Sequence, residues 1–390
     1  MRQTGEGLKL KVIKAAFILC VASAQLSNAA GLERRNIDTD FLFADGMVVD
    51  LGFGSVSPSF TPTQGGGFAF EAGKNIAPSF SVVTGSFKTE INDNIDMGFW
   101  HTSSGNGVHV DYGAVTGLGM TGAINTVTGV ANSGHIKAEV SIPTTMLAAK
   151  YSINENFSVI AGAKYVNVSG GQLMLPSELN DGDPMPDITS VWNLGSKDGT
   201  GTVFGVAYEI PEIALRVSLV TEGDINLSIP TTTGGGAAAN GNSTASIGDA
   251  ITLSFQTGIA ENTLLFGSVR QSNWADNQVS VPTPAGLAQV TSFEDGENFT
   301  IGIGRKFSDK LSASISYYFS DGDGNGASEL SPYGETKTVS LGTKYSLNEG
   351  TDLSFGLSQS ERGDATTGNF AAKHSGSSVT SFGVKLTHRY

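Results

Sequence analysis

The last ten residues, SFGVKLTHRY, set Phe382, Val384, Leu386, His388 and Tyr390 at every second position, with Gly383, Lys385, Thr387 and Arg389 between them. Successive side chains of a strand point to opposite faces, so a period of two predicts a β-strand with one apolar and one polar side. The pattern recurs along most of the chain. Ile136, Ala138, Val140 and Ile142 alternate with Lys137, Glu139 and Ser141; Phe157, Val159, Ala161, Ala163 and Tyr165 alternate with small or polar residues. Ile213, Leu215, Val217 and Leu219 bracket Ala214, Arg216 and Ser218, and Leu311, Ala313, Ile315, Tyr317 and Phe319 run through serines and a tyrosine. About 14 such segments are present, near 45–57, 78–90, 94–102, 134–151, 155–167, 200–210, 213–226, 248–259, 262–274, 297–307, 310–320, 335–346, 350–361 and 378–390.

What separates the segments is as informative as the segments. Short connections, NDN at 92–94, NEN at 154–156, PE at 211–212, AEN at 260–262, SDK at 308–310 and NEG at 348–350, are rich in turn formers. They alternate with long ones of roughly 14 to 32 residues carrying TQGGG, TTTGGGAAANGNST and SDGDGNGAS. Short turns on one side and long loops on the other predict an up-and-down arrangement. An even number of antiparallel strands with this asymmetry is the pattern of a transmembrane β-barrel of the bacterial outer membrane. A barrel also explains the aromatic last residue: the final strand must pair with the first, which ties the terminus into a seam. Phe157, Phe307 and Tyr345, all beside short turns, are then expected to join Tyr390 in an interfacial girdle. A secreted β-sandwich or β-repeat adhesin would show the same alternation, because periodicity does not separate lipid-facing from core-facing positions.

Composition supports the barrel. The chain has 51 glycines in 390 residues, 39% hydrophobic and 15% charged residues and a net charge of -14, against about 45–50% apolar and 25% charged in ordinary globular domains. The acidic balance and the lack of a basic stripe exclude nucleic acid as a partner. At the other end Arg2, Lys9, Lys11 and Lys14 precede the apolar run AAFILCVASA and small residues at Ser27 and Ala29, which reads as a secretory signal peptide over 1–29. Beyond it no run of 18 or more apolar residues occurs, so no membrane-spanning helix is expected. The single cysteine, Cys20, lies within that signal after Leu19, which departs from the small residue a lipoprotein site needs. Processed protein would hold neither a disulfide nor a thiol nucleophile.

The stretch AGLERRNIDTDFLFADGMVVDLGFG, from Ala30, together with NIAPSFSVV, INDNIDMGFW, NFTIGIGRKFSDKLSASISYYFS and TKTVSLGTKYSLNEGTDLSFGLS, resembles the FadL/TodX family of outer-membrane transporters for long-chain fatty acids and other hydrophobic compounds. The resemblance implies an all-β fold, a transmembrane antiparallel barrel of about 14 strands over 45–390 with a short N-terminal plug or hatch segment at 30–44. It further implies passive uptake: a hydrophobic ligand is captured outside, held in an apolar pocket and released when the plug rearranges, with a kink in the third strand as a lateral exit. Larger members carry a longer plug with an NPA tripeptide, of which NIAPS at 75–79 is a weak echo.

Candidate ligand-binding residues follow from these two lines. Leu32, Ile37, Phe41, Leu42 and Phe43 would face a ligand from the N-terminal segment, unless Phe41 to Phe43 begin the first strand. Gly98 and Trp100 lie in the third segment, with Gly105 and Gly107 just beyond; glycine in a strand often marks a bend, although tight packing is the plainer reading in so glycine-rich a chain. If apolar positions face lipid, Lys164, Arg216, Lys344 and Lys385 point inward and could pair a fatty carboxylate, or join inward acids in a charge network. No cofactor and no metal site is expected. DGDGNG at 321–326 begins like a calcium loop, but the twelfth position, which should be Glu, is Pro332. Asp181, Asp183 and Asp187 would hold divalent ions loosely near lipopolysaccharide or serve solubility. His101, Ser103, Ser104, His109 and Asp111 lie close in sequence, which does not place nucleophile beside base, and GFGSV lacks the spacing of a nucleophile elbow. The expectation is therefore a non-enzymatic, monomeric outer-membrane channel for hydrophobic molecules, with a general diffusion porin as the main alternative and an outer-membrane hydrolase or adhesin behind it.

Overall fold

Alternating segments bounded by turn residues fold into fourteen antiparallel strands that close on themselves, in a computed structural model that describes residues 31–63, 68–117, 134–177, 188–322 and 324–390. In chain order they are β1 Val48–Ser59, β2 Phe80–Asn92, β3 Ile95–Gly117, β4 Gly134–Ser152, β5 Phe157–Ser177, β6 Ile188–Ile210 and β7 Leu215–Glu222. The remainder are β8 Ala250–Ala260, β9 Thr263–Ser272, β10 Gly296–Lys306, β11 Leu311–Ser320, β12 Thr336–Ser346, β13 Thr351–Arg362 and β14 Ser377–Arg389. Closure is made by β1 and β14, whose register runs unbroken from Val48 opposite Arg389 to Ser59 opposite Ser378. The Tyr390 amide donates to the Met47 carbonyl at 3.0 Å, so the chain end is pinned in the seam. All six short connections fall where turn residues predicted them, Asn262 and Ala214 taking positive φ in theirs.

The outward face identifies the environment. Phe53, Phe87, Phe99, Leu147, Phe204, Leu253, Ile303, Leu341, Leu357, Phe382 and Leu386 are all exposed around the barrel wall. Phe157, Phe307, Tyr345 and Tyr390, 51%, 63%, 44% and 73% exposed, ring the end that carries the short turns. An apolar band edged by aromatics is a lipid-facing surface; the same side chains in water would be an aggregation liability. Inward positions of the same strands carry Ser218, Ser312, Ser316, Ser354 and Thr387, all buried.

Two expectations need correction. The third and sixth segments, read as 94–102 and 200–210, are 23-residue strands, and β5 likewise runs ten residues past its expected end. The signal was obscured because the alternation changes phase. In the lower half of β4 Leu147 and Tyr151 face out, whereas above it Ile136, Ala138 and Ile142 are buried inside and Lys137 pairs with Glu139 on the outer face at 3.1 Å. In β5 outward Phe157 and Tyr165 give way to inward Val166 and Val168. Where the wall leaves lipid for water, apolar side chains must swap faces to stay dry. The second correction concerns TTTGGGAAANGNST, which is no loop: Ile225–Gly235 and Gly241–Ile247 form a hairpin whose Ile225, Leu227, Ile229, Ala245 and Ile247 join the outer apolar cluster. The expected signal peptide lies outside the described residues.

That outer cluster fills the mouth with side chains from strands and long loops, among them Phe60, Ile76, Tyr112, Trp192, Trp274 and Leu330. Tyr112 donates its hydroxyl to the Glu329 carbonyl at 2.9 Å and meets His374 edge-on. Burial holds the His374 imidazole down to about 4.

Two measurements check this account. Leu357→Arg, on the lipid face near mid-height, is expected to cost about 2–4 kcal/mol in unfolding from lipid vesicles and Gln359→Arg, nearer the rim, about 0–1 kcal/mol. Because the unfolded chain protonates His374 first, stability is expected to fall as pH drops from about 6.5 toward about 4. Comparing urea midpoints at pH 7 and 4.5, His374→Gln should shrink that fall.

Candidate functional site

The regular ladder fails at one height on adjacent strands. β2 and β3 pair from Asn92 opposite Ile95 up to Thr84 opposite Thr102, and there the pairing stops. On the other side of β3, Ser103–Gly105 drop out of register with β4, and Ser141–Pro143 drop out of register between β4 and β5. Pro143 lacks the N–H that a ladder needs. Gly107 takes φ +133°, and a Cβ there would lie 2.3 Å from the Val140 carbonyl oxygen, so only glycine permits this bend. Above Thr102, β3 therefore leans into the lumen and leaves Phe80–Val83 of β2 without it; Val83 N–H donates instead to Ser103 Oγ at 2.9 Å.

The freed edge of β3 is satisfied from within. Gly105 O accepts from the backbone amides of Arg34 and Arg35, both at 2.9 Å, the Gly107 amide donates to Leu32 O at 2.8 Å, and the Asp111 amide to Ile76 O at 2.8 Å. Residues 31–43 thus run down inside the barrel and include one 3-10 turn, Asp40–Phe43. Phe41, Leu42 and Phe43 pack with Trp100, Met146, Ile160 and Val203 of the inner wall. Gly98 makes room for this: a Cβ there would stand 2.2 Å from Phe41 Cε2. Phe43 lies under two cations, 4.4 Å from the Arg216 guanidinium and 4.8 Å from Lys150 Nζ.

Ion pairs fasten the segment to the wall. Glu33 pairs with Arg270 of β9 at 2.5 Å; Arg270 also pairs with Glu222 of β7 at 2.5 Å, and Glu222 with Lys164 of β5 at 2.8 Å. All four side chains are buried, so each charge is compensated only by its neighbours. Lower down Arg216 pairs with Asp40 at 3.0 Å, Lys385 with Asp50 at 3.8 Å, and Lys344 with Asp352 at 3.7 Å.

Two compartments result. A cavity of about 300 Å³ lies between the segment and β1, β2, β7 to β10 and β14, lined largely by hydroxyls and charges such as Ser218, Ser254, Thr252, Arg216 and Glu222, and also by Trp100. A second, of about 60 Å³, sits beside the β2/β3 gap among Val56, Phe60, Phe80, Val108, Tyr333 and two arginines. The larger cavity is polar and lies beside the apolar Phe41–Phe43 cluster, whereas the outer end is filled mainly by packed apolar side chains.

No protein-family model and no curated protein matches the sequence. Solved structures do. A FadL homologue from Pseudomonas aeruginosa superimposes with a TM-score of 0.72 at 11% identity, over 89% of this chain and 91% of that one. The toluene transporter TodX of P. putida gives 0.65 at 15% identity over 90% and 92%, and the toluene transporter TbuX of Ralstonia pickettii 0.62 at 13% identity over 89% and 90%. The chain has the fold of the FadL and TodX channels. At these identities the likeness is one of fold, and the expected all-β antiparallel barrel of 14 strands stands.

The residues singled out from sequence are dispersed across this architecture. Leu32 belongs to the outer apolar cluster, and Phe41 and Phe43 lie against the inner wall. Trp100, Arg216 and Lys385 line the larger cavity, Lys344 lines a small one with Phe41, and Lys164 is held by Glu222. The His/Ser/Asp group is not assembled: Ser103 serves Val83, His101 Nδ1 meets Thr145 Oγ1 at 2.9 Å, and Asp111 contacts His135 at 2.8 Å and Lys74 at 3.0 Å. Asp181, Asp183, Asp187 and Asp323 lie outside the described residues. Sequence reading passed over Glu33, Arg34, Glu222, Arg270 and Arg362; only the buried partners of Glu222 and Arg270 mark them, and partners are not legible in one strand.

Removing the centre of the buried relay is expected to release the segment. Arg270→Met should cost about 3–5 kcal/mol, since it strands Glu33 and leaves Glu222 with Lys164 alone. Amide exchange in residues 31–47 should rise in that variant while β11 to β13 keep their protection.

Proposed function

We propose that this chain is an outer-membrane channel for passive uptake of hydrophobic small molecules, long-chain fatty acids among them, which leave sideways through the gap between β2 and β3. The observation that carries this reading is the loss of pairing above Thr84 and Thr102 with a cluster of packed apolar side chains directly behind it. A hydrocarbon chain moving from among those side chains into the bilayer stays in apolar surroundings. Descending through the lumen would bring it past serines, threonines and ion pairs, and each methylene passed to water costs about 0.8 kcal/mol. The N-terminal segment fills the route to the short-turn end and acts as the plug. Channels of this fold named for toluene transport support a hydrophobic ligand in general, and a Gram-negative outer membrane with lipopolysaccharide around a monomeric barrel is the setting this implies.

The polar cavity of about 300 Å³ favours a second reading, a diffusion porin. Native mass spectrometry of the refolded barrel with oleate, dodecane and toluene, beside planar-bilayer conductance, separates the two. The channel reading expects a retained hydrophobic ligand with little conductance; large steady conductance with none retained makes the protein a porin.

A further inference from the structure

We propose that the larger cavity is a binding site for one small, neutral, polyhydroxylated molecule of the size of a single sugar ring. The inference goes beyond hydrophobic uptake and does not depend on it. It begins with the charges. Arg216, which lines the cavity, pairs with Asp40 at 3.0 Å and donates to Gln256 Oε1 at 3.2 Å. Glu222 is taken by Lys164 and Arg270, and Asp50 by Lys385 and the Ser86 and Thr387 hydroxyls. An anion or a cation entering here would have to displace an existing pair, and a lumen charge left without its partner is costly. The site therefore selects against charged ligands.

What the lining offers instead is hydroxyl and amide. Thr84 of β2, Ser218 of β7, Ser254 of β8, Ser268 of β9 and Thr300 of β10 line the cavity, and their hydroxyls take no partner among the described residues. Asn36, on the inner segment, lines it too, and its Oδ1 is buried without a hydrogen-bond partner. A hydrocarbon would leave these groups dry at a cost for each, whereas a ligand that both donates and accepts satisfies them. Two rings add an apolar component, since Trp100 from β3 and Phe266 from β9 line the same space. A sugar ring carries hydroxyls on its edge and C–H groups on its faces, so each kind of surface meets its counterpart. Volume sets the size. About 300 Å³ is the lower end of small-molecule sites, which span about 300–1,000 Å³, enough for one ring and not for a chain of them.

The test is titration calorimetry of the whole refolded barrel with glucose, myo-inositol, glucuronate and glucosamine, beside oleate and toluene. The detergent is an amine oxide, whose head group is no sugar, at about pH 6, where the acid and the amine both carry charge. Glucose and inositol are expected to bind saturably. Glucuronate and glucosamine, which add one charge at nearly the same size, should bind at least about tenfold more weakly. Thr84→Val and Thr300→Val keep the side-chain shape and remove one hydroxyl each, so each should weaken glucose roughly three- to tenfold. Thr300→Ser, which restores the hydroxyl, should keep the affinity of the unaltered protein, and all three variants should retain toluene binding and the heat-modifiable mobility of the folded barrel. No saturable binding of glucose or inositol by the unaltered protein overturns the site and leaves the cavity to water, while oleate and toluene report separately on hydrophobic uptake. Equal or tighter binding of glucuronate or glucosamine overturns the neutral assignment. A glucose affinity that survives both Thr84→Val and Thr300→Val overturns the placement in this cavity.

Discussion

Hydrocarbon offers no water to an unpaired amide or carbonyl, so a wall that crosses a bilayer must satisfy every backbone group from within the protein. That constraint closes β1 onto β14, holds Tyr390 against Met47 and keeps most of the ladder in unbroken register. It also makes the interruption between β2 and β3 conspicuous. Where β3 abandons β2 above Thr102, its amides and carbonyls are taken up by Leu32, Arg34, Arg35 and Ile76. The bend and the inner segment are one structural unit: the segment supplies the hydrogen bonds that let the strand leave the wall. A change that loosens the segment therefore acts on the gap, and Gly107, which alone permits the bend, acts on the segment.

The wall divides into two regimes with opposite rules. Within the lipid the apolar face is outside and the lumen is polar, so the inner surface can be wet and can carry ion pairs. Beyond the lipid, in the long strands β3 to β6, apolar side chains turn inward and pack with those of the long loops into one cluster. The gap opens where one regime passes into the other.

Electrostatics complete the arrangement. The relay from Glu33 through Arg270 and Glu222 to Lys164 ties the inner segment to three strands of the wall. Buried pairs of this kind add little net stability over apolar packing, but breaking one is expensive, so they fix where the segment sits. Lys164, Arg216, Lys344 and Lys385, all candidates for a ligand carboxylate from sequence, each face an acid. Arg34 and Arg362, which nothing in the sequence set apart, have no acid partner among the described residues.

By itself the sequence determined the number of strands, their antiparallel order, the side that carries short turns and the identity of the closing strand, because alternation, turn residues and loop lengths are local properties. Phe382, Leu386 and Tyr390 announced a lipid-facing strand, and the structure places them there. Tertiary structure alone decided which face of a given stretch is wet. The same alternation at Ile136–Ile142 and at Leu147–Tyr151 serves opposite sides, since the phase depends on height in the membrane rather than on period. It also decided that Gly98 accommodates Phe41 while the bend lies higher, at Ser103–Gly107, and which charges found partners. Those outcomes depend on residues hundreds of positions apart, as with Glu33 and Arg270, brought together only by closing the barrel.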